Sequence, residues 1–261
     1  MGPKTTGSIS QSFMPRRLMD VPEYMEGNLE IHEILHRVAW ISCALLYNTH
    51  MVPSRIIVGI TGASGALYAR RMIQLLLAVE TEVHLVVTPL GQRLLHDELG
   101  MEGIDLEGLT GRVADEGEVP GVTLHNYRDV GAAIASGSFR HDGMVIVPCS
   151  ANTLAAVAQG SQNNLLHRAA AVTIKERRRL VLVHRESPLS LIDIRNMQLV
   201  TESGAIVCPA SPGFYLLPQT IDDLVDFVVG RVLDLLGVEH ELDIRWARQN
   251  QRLNVPGRKS S

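Results

Sequence analysis

The chain has 261 residues, a formal net charge of −4, and 46% hydrophobic but only 4% aromatic residues. Since no basic face dominates, the charge argues against a nucleic-acid-binding protein. Few aromatic residues leave Val, Leu, Ile and Ala to build the core, which favours buried parallel strands covered by helices. Cys43, Cys149 and Cys208 lie far apart without a C-x-x-C pair, a usage typical of a reducing compartment. We therefore expect a cytoplasmic protein, and for Cys149 a buried thiol in preference to a nucleophile.

We interpret residues 1–54 as a partly disordered N-terminal extension, because its first residues are rich in Gly, Ser and Thr. Its apolar run, Val38–Tyr47, has ten residues, which are too few to span a bilayer. Acidic residues before this run argue against a signal peptide or a mitochondrial presequence. The functional domain is expected at 55–248, followed by a C-terminal tail at 249–261.

The domain opens with a β-branched strand, Arg55–Ile60, a glycine turn, Thr61–Ala66, and a helix, Leu67–Leu77. This order is typical of the first unit of a doubly wound α/β fold. The turn gathers backbone N–H groups at a helix N-terminus, where phosphate binds readily. Its spacing is not the G-x-G-x-x-G of a nicotinamide dehydrogenase, so a turn without a ligand is an equal alternative.

Polar side chains recur where the next predicted strands end. Thr88 closes the strand Glu82–Thr88, and the strand Met144–Val147 runs into Pro148–Thr153. Ligands of open α/β sheets bind outside the carboxyl ends of the strands, so we expect these hydroxyl and amide groups at a binding site. Ordinary helix N-caps use the same side chains and are the alternative. The stretch Gly100–Asn126 has no pattern that assigns it to a helix or a strand.

The segment Lys175–Leu189 places charged groups around a further short apolar strand. Arg185 and Glu186 follow this strand directly, where an arginine can hold an anion and a carboxyl can move a proton. Arg168 lies two turns before Lys175 on one face of a predicted helix and favours an anionic partner. A surface ion pair at the strand end is the alternative for Arg185 and Glu186.

Three other segments offer groups for a ligand. The loop Ala135–Ser138 consists of small residues that can adapt around one. Three prolines stiffen the loop Pro209–Pro218 and hold Tyr215 in place. Arg231 interrupts the apolar repeat of the last predicted helix, Thr220–Leu236, either as an anion clamp or as a snorkelling arginine at the helix edge.

Taken together, these segments resemble the UbiX-type flavin prenyltransferase family. The resemblance covers Arg55 to Trp246 in family order. It rests on Gly-Ile-Thr-Gly-Ala-Ser-Gly-Ala, Ala-Ser-Gly-Ser, Pro-Cys-Ser, Asn-Asn-Leu-Leu-His-Arg-Ala-Ala, Lys-Glu-Arg-Arg, Arg-Glu-Ser-Pro-Leu, Pro-Gly-Phe-Tyr and Ile-Asp-Asp-Leu-Val-Asp-Phe-Val-Val-Gly-Arg, together with Arg245-Trp246. The first segment has little specificity by itself, whereas the combination is highly specific.

The resemblance implies a flavodoxin/Rossmann-like three-layer sandwich with a mostly parallel sheet. It implies an FMN site at subunit contacts within a homo-oligomer, usually a dodecamer. The implied activity is metal-independent transfer of a dimethylallyl group from dimethylallyl phosphate, or sometimes the pyrophosphate, to N5 and C6 of reduced FMN. The prenylated FMN would then pass to a UbiD-type decarboxylase.

The resemblance also implies roles for individual residues, which are expected to converge on one pocket beside the flavin. FMN is expected to be held by Gly62, Ala63, Ser64, Thr88, Ser150, Ala151, Asn152, Thr153 and Arg185. The prenyl phosphate is expected to be bound by Arg168, Lys175, Arg185, Tyr215 and Arg231. The expected catalytic residues are Ser64 and Glu186, which manage protons, Lys175 on the phosphate, and Trp246 beside the prenyl chain.

The chain departs from the family pattern at three positions. Ala171 stands where an aspartate is frequent, Arg179 where a proline is frequent, and Asp193 where a histidine is usual. None of these departures removes a predicted phosphate ligand or Glu186. They concern the contacts between subunits and the catalytic rate.

Two other functions are open at this point. A flavin-dependent cysteine decarboxylase of the same fold would carry a motif similar to Ser150–Thr153. Its Pro-x-Met-Asn-x-x-Met-Trp substrate clamp does not occur in this sequence. A non-catalytic flavin-carrying subunit of a decarboxylase would need the same turns but neither Glu186 nor Lys175.

Overall fold

The structure of the protein is a computed structural model that describes residues 55–115 and 118–242. In this part of the chain six strands form one sheet, and every neighbouring pair is parallel. The strands are β1 (Arg55–Ile60), β2 (Glu82–Val87), β3 (Val122–His125), β4 (Gly143–Cys149), β5 (Arg179–His184) and β6 (Ile206–Val207). Their order across the sheet is β3-β2-β1-β4-β5-β6, which is that of a doubly wound Rossmann-type fold.

Helices cover both faces of the sheet, which confirms the predicted three-layer sandwich. The helices are α1 (Ala66–Ala78), α2 (Pro89–Leu99), α3 (Leu106–Thr110), α4 (Ala151–Ala158), α5 (Leu165–Lys175), α6 (Leu191–Glu202) and α7 (Ile221–Leu236). Side chains of α1, α2, α3 and α7 pack on one face, and those of α4, α5 and α6 pack on the other. Because β1 and β4 are covered on both sides, their residues are almost all buried and apolar.

The direction in which strands are added reverses between β1 and β4. The chain proceeds from β1 outward to β2 and β3, and then returns to add β4, β5 and β6 on the other side. In doubly wound folds the crevice at such a reversal, outside the carboxyl ends of the strands, is the usual ligand site. The glycine turn follows β1, and Ser150 follows β4, so both predicted segments meet at this crevice.

The sequence pattern does not assign Gly100–Asn126, and the structure forms α3 and β3 there. The five residues of α3 are too few to show a helical repeat. Strand β3 lies at the sheet edge, where the side chains of Thr123 and Leu124 are exposed, so it lacks the apolar run of a buried strand.

Two of the three departures from the family pattern have structural partners. Asp193 forms a capping box at the start of α6, where its Oδ2 accepts from the backbone N–H of Ser190 at 2.9 Å. Arg179 donates from Nη1 to the carbonyl oxygen of Leu236 at 2.8 Å, which ties the start of β5 to the end of α7. Each departure therefore stabilises a helix end within the chain.

Some predictions lie outside the described residues, namely the extension at 1–54, the tail at 249–261 and the role of Trp246. Between residues 55 and 115 and between 118 and 242, no helix has the length and apolar character needed to cross a membrane. Over the same ranges, no group of three His, Cys, Asp or Glu side chains is arranged to hold a metal ion.

Candidate active site

The side chain of Thr61 joins the carboxyl ends of β1 and β4. Its hydroxyl donates to the carbonyl oxygen of Pro148 at 2.7 Å and accepts from the backbone N–H of Ser150 at 2.9 Å. Thr61 is 1% exposed, so water does not compete for these hydrogen bonds. The sequence pattern treats Thr61 only as the first residue of the turn, and its role in holding the crevice is evident only in the structure.

A carboxylate from α2 closes the glycine turn at the start of α1. Glu98 accepts hydrogen bonds from the backbone N–H groups of Gly65 at 3.0 Å and Ala66 at 2.8 Å. A negative group is favourable here because the first N–H groups of a helix have no partner within the helix. Glu98 therefore occupies the two amides at the helix start, and within the described residues the amides of Gly62 and Ser64 are left for a ligand.

Thr88 fixes the start of α2 beside this turn. Its Oγ1 accepts from the backbone N–H of Gly91 at 3.0 Å and donates to the carbonyl oxygen of Ile60 at 3.2 Å. Gly62 packs so closely against α2 that an added Cβ would lie 2.5 Å from the Cβ of Leu90. Only glycine allows this approach, which brings the turn and Thr88 together.

The segment after β4 forms the first turn of α4. Ser150 is the N-cap: its Oγ accepts from the backbone N–H of Thr153 at 3.3 Å and donates to the Thr153 hydroxyl at 3.1 Å. The alternative of an ordinary helix cap is therefore confirmed for Ser150. Capping does not remove the segment from the crevice, because Asn152 is exposed and Ala151 is only partly buried there.

One carbonyl holds the residues after β5 against the end of β4. The oxygen of Cys149 accepts from the backbone N–H of Arg185 at 3.2 Å and from Nδ1 of His184 at 3.0 Å. Within the described residues the Nε of Arg185 is buried and has no hydrogen-bond partner, which is a position that a ligand can complete. Glu186 is exposed, and its Oε1 accepts from the backbone N–H of Ser187 at 3.1 Å.

Cys149 is a packing residue in this structure. Its side chain is fully buried among apolar residues on the face of the sheet that α4, α5 and α6 cover. Burial raises the pKa of its thiol to about 12, so the reactive thiolate is not formed near neutral pH. The prediction of a buried thiol is confirmed.

A cleft of about 770 Å³ opens at these strand ends. This volume is in the range of cofactor sites. The predicted residues that line it are Gly62, Thr88, Ser150, Ala151, Asn152, Thr153 and Glu186. Residues to which the sequence assigns no individual role also line it, among them Tyr127, Gln159, Ser161, Asn163, Asn164 and His167. Ala63 is buried and Ser64 is exposed in the same turn, and neither of them lines the cleft.

Arg168 and Lys175 lie in a second cleft, of about 410 Å³. Its lining also includes Ala135, Ser136, Gly137, Gln162 and Ala171. Arg168 donates from Nη1 to Gln162 Oε1 at 3.0 Å, while its Nε is buried without a partner among the described residues. Lys175 is exposed, with its Nζ 3.5 Å from Oε1 of Glu176. Within one chain, therefore, Arg168 and Lys175 do not line the cleft that contains Glu186.

Tyr215 and Arg231 lie in a third region, in the loop before α7 and on α7 itself, where Nη1 of Arg231 donates to Oδ2 of Asp234 at 2.9 Å. The ring of Tyr215 packs edge-on against Phe227, with the ring centroids 5.6 Å apart. Arg231 lies one helical turn after Phe227 on the same helix. The backbone N–H of Ala210 donates to the carbonyl oxygen of His184 at 2.9 Å, so this loop starts at the carboxyl end of β5. One chain thus does not gather all the predicted phosphate ligands in a single cleft.

Comparison with known proteins identifies relatives over most of the chain. A model of the Flavoprotein family matches residues 45–233. The flavin prenyltransferase UbiX of Halalkalibacterium halodurans is 47% identical over 194 residues, which are 74% of this chain and 93% of the relative. The crystal structure of AnUbiX (PadA1) in complex with FMN and dimethylallyl pyrophosphate is 40% identical, with a TM-score of 0.64, and covers 72% of this chain and 96% of its own. The dodecameric FMN-dependent UbiX-like decarboxylase from Escherichia coli O157:H7 is also 40% identical, with a TM-score of 0.66, over 74% of this chain and 98% of its own.

The matched region contains the site built up above. Every predicted site residue except Trp246 lies within residues 45–233. The curated relative and both solved structures bear the UbiX name. The chain therefore belongs to the UbiX-type flavin prenyltransferase family of flavoproteins.

Proposed function

We propose that this protein is a transferase that moves a dimethylallyl group from dimethylallyl phosphate to N5 and C6 of reduced FMN. The observation that carries this proposal is the position of Glu186, which lines the same cleft as the glycine turn and the start of α4. A carboxylate beside a flavin cradle fits a reaction in which a ring nitrogen exchanges a proton for a carbon. The names of the similar proteins support the same activity.

The residues of the cleft fit FMN as the acceptor. The backbone N–H of Gly62 and the side-chain amide of Asn152 offer donors for its phosphate and ring oxygens, and Thr88 and Ser150 line the same cleft. The similar AnUbiX structure contains FMN. When bound in its reduced form, the flavin supplies the electron-rich ring system that accepts the prenyl group.

Fixed positive charge for the prenyl phosphate is assigned to Arg185 and Arg231, with Tyr215 as a hydrogen-bonding partner. A phosphate oxygen would satisfy the buried Nε of Arg185, which has no partner among the described residues. Such charges stabilise a departing phosphate because they are in place before the bond breaks.

A neighbouring subunit is proposed to contribute Arg168 and Lys175 to the same phosphate. Within one chain these residues line the second cleft, away from Glu186. The buried Nε of Arg168 has no hydrogen-bond partner in the described part of the chain, as expected for a group that binds an anion. The E. coli relative is dodecameric by its description, and a similar homo-oligomer can bring the second cleft of one subunit to the flavin cleft of the next.

In the proposed reaction the C–O bond of dimethylallyl phosphate breaks, and the phosphate leaves with the bonding electrons. Lys175, Arg185 and Arg231 stabilise the charge that grows on it. The carbon bond to N5 replaces the hydrogen on that nitrogen, and Glu186 with Ser64 passes the released proton toward the phosphate. The carbon bond to C6 consumes the prenyl double bond: the neighbouring alkene carbon gains a proton while C6 loses its hydrogen as a proton, and Glu186 is assigned to this exchange. Trp246 is assigned to the prenyl chain, where its π face would favour developing cationic character.

The product is proposed to pass to a UbiD-type decarboxylase in the cytoplasm. The functional domain is proposed to extend over 55–248, with 1–54 as an extension and 249–261 as a tail. Dimethylallyl pyrophosphate is the compound named in the AnUbiX complex, so both prenyl donors belong in the assay.

The test is an anaerobic incubation of the purified chain with reduced FMN and each prenyl donor, followed by mass spectrometry of the flavin. We expect a flavin heavier by one prenyl unit. An unchanged flavin together with decarboxylation of peptidyl or pantothenoyl cysteine would instead support the cysteine decarboxylase. An unchanged flavin that is bound without turnover of either kind would support the non-catalytic carrier.

A further inference from the structure

The flavin cleft extends past Ser150–Thr153 to the start of α5, where it is lined by a buried histidine. His167 is 8% exposed, and the neighbouring N-cap residue, Asn164, is 6% exposed. The backbone N–H of Leu165 donates to the carbonyl oxygen of Tyr127 at 3.0 Å, which fixes the helix start against the segment after β3. None of these residues has a role in the reaction proposed above.

The contacts of Asn164 determine the orientation of its side-chain amide. Its Oδ1 accepts the backbone N–H of His167 at 2.9 Å, and its Nδ2 lies 3.0 Å from Nδ1 of the same ring. A flipped amide would place the NH₂ group against the backbone N–H, so that two donors would face each other. The amide nitrogen therefore faces the imidazole, and it can only donate.

This orientation determines the tautomer of His167. Because the Asn164 amide donates to Nδ1, that nitrogen must carry the lone pair, and the ring proton resides on Nε2. In a doubly protonated ring, the proton on Nδ1 would face the N–H of the Asn164 amide. Burial also lowers the pKa of His167, so the neutral ring is favoured near pH 7. Since Nδ1 is turned to Asn164, Nε2 is the ring nitrogen available to the cleft.

We infer that His167 is a further flavin-binding residue, which donates a hydrogen bond from Nε2–H to an oxygen of FMN at the α5 end of the cleft. The inference rests on the proposed function, since it takes FMN as the ligand of this cleft. The geometry supports it in two ways: the ring is held rigidly by its own helix cap, and its one available polar atom is a donor. FMN has acceptors in its phosphate, in its ribityl hydroxyls and in its ring carbonyls, and any of them can take this hydrogen bond.

The first experiment measures flavin affinity in three full-length proteins: the unaltered chain, His167→Leu and His167→Gln. Leucine removes the donor, and we expect about 3- to 10-fold weaker binding of FMN, the loss that follows removal of one hydrogen bond. The glutamine amide reaches about as far as the Nε2 of histidine, so this variant should bind within about twofold of the unaltered chain. Affinity is measured by titration of flavin fluorescence.

A parallel titration with riboflavin, which lacks only the phosphate, distinguishes a phosphate partner from the other acceptors. If His167→Leu weakens FMN but not riboflavin, the partner is a phosphate oxygen; if it weakens both equally, the partner is an oxygen of the ring or the ribityl chain. The matched control is His141→Leu, which removes another buried imidazole, just before the amino end of β4 and outside the residues that line the cleft, and should leave both affinities unchanged. If His167→Leu does not fold, His167→Asn replaces it, because the shorter amide does not reach the same point.

Equal FMN affinity of His167→Leu and the unaltered chain would overturn the inference while leaving the prenyltransferase proposal intact. Failure of the unaltered chain to bind FMN would overturn both. A neutron crystal structure provides a readout that does not depend on activity: we expect deuterium on Nε2 of His167 and none on Nδ1. Deuterium on Nδ1 alone would overturn the inference, because Nε2, the nitrogen that faces the cleft, would then be an acceptor.

Discussion

Two carboxylates lie beside the glycine turn and the cleft, and their contacts give them different tasks. Glu186 is exposed at the cleft and accepts one local hydrogen bond, from Ser187, so it can exchange protons with a bound molecule. Glu98 is fixed by two backbone N–H groups at the start of α1, which makes it a structural support for the turn that carries Ser64.

Substitution of Glu186 by glutamine tests the proton-transfer task. The amide has the same shape but cannot accept a proton, so we expect product formation to slow by about 100-fold or more while the affinity for FMN is retained. Single-turnover assays with mass detection and FMN titration measure the two quantities. The control is the exposed Glu102→Gln, which lies after α2, outside the residues lining either cleft. Equal turnover in Glu186→Gln would remove Glu186 from its assigned role.

Substitution of Glu98 by alanine tests the structural task. Loss of the carboxylate leaves the N–H groups of Gly65 and Ala66 unpaired, so we expect the free energy of unfolding to fall by about 1 kcal/mol. FMN binding should weaken as well, because the turn that carries Gly62 is less well held. Urea denaturation and FMN titration, with Glu102→Ala as the control, measure both effects. Unchanged stability and affinity would contradict this assignment.

The residues that sequence reasoning found and those it missed differ in how far their partners lie along the chain. Thr88 and Ser150 were predicted because a hydroxyl directly after an apolar strand is a local pattern. Thr61 and Glu98 act through partners 87 and 32 residues away, Pro148 and Ala66, and no local pattern reports such a pair. The role of His167 depends on the rotamer of a neighbouring amide, which sequence does not specify.

At the scale of secondary-structure elements, β2, β3 and the segment before β4 contain a cluster of histidines. His84 on β2 has its Nδ1 2.8 Å from Nε2 of His125 on β3, and Phe139 packs edge-on against the His84 ring. His141, just before β4, is buried, with its Nδ1 3.0 Å from the carbonyl oxygen of Gly143. Burial lowers the pKa of all three imidazoles, that of His141 to about 4.

This cluster predicts loss of stability on mild acidification. When the pH falls below about 6.5, the unfolded chain binds a proton at His141 but the folded chain does not, so the free energy of unfolding falls until the pH approaches 4. For His141 we expect a loss of about 2 kcal/mol between pH 7 and pH 5. Urea denaturation at both pH values measures this loss of unfolding free energy. Compared with the unaltered chain, the loss should be smaller in His141→Gln and the same in the exposed His96→Gln. An equal loss in all three proteins would contradict this assignment.

Element prediction succeeded where the chain is buried and repetitive. The central strands β1 and β4 are covered on both faces, so their apolar runs predict them directly. Strand β3 and helix α3 are short and lie at the margin of the fold, where few buried positions impose a repeat. Such elements form because the rest of the domain provides a surface for them.

At the scale of the whole molecule, the predicted phosphate ligands are distributed over the second cleft, the end of β5, the loop before α7 and α7 itself. Arg168 and Lys175 share the second cleft, whereas Glu186 lines the first. Sequence reasoning identifies all of these charges but cannot state which of them one chain brings together, because that depends on contacts between subunits. Convergence across two subunits is the central claim of the proposed mechanism.

Complementation between inactive variants tests this claim most directly. Lys175→Ala and Arg231→Ala should each lower kcat/KM by at least about 10-fold, since each removes a charged phosphate ligand. Oligomers co-expressed from both variants should recover activity at about a quarter of their sites, where an intact Lys175 meets an intact Arg231 from another subunit. As a matched control, Lys175→Ala mixed with Arg168→Ala should recover none, because these two residues belong to the same cleft of one chain. Mixed oligomers of the first pair that are no more active than either variant alone would contradict a site completed between subunits.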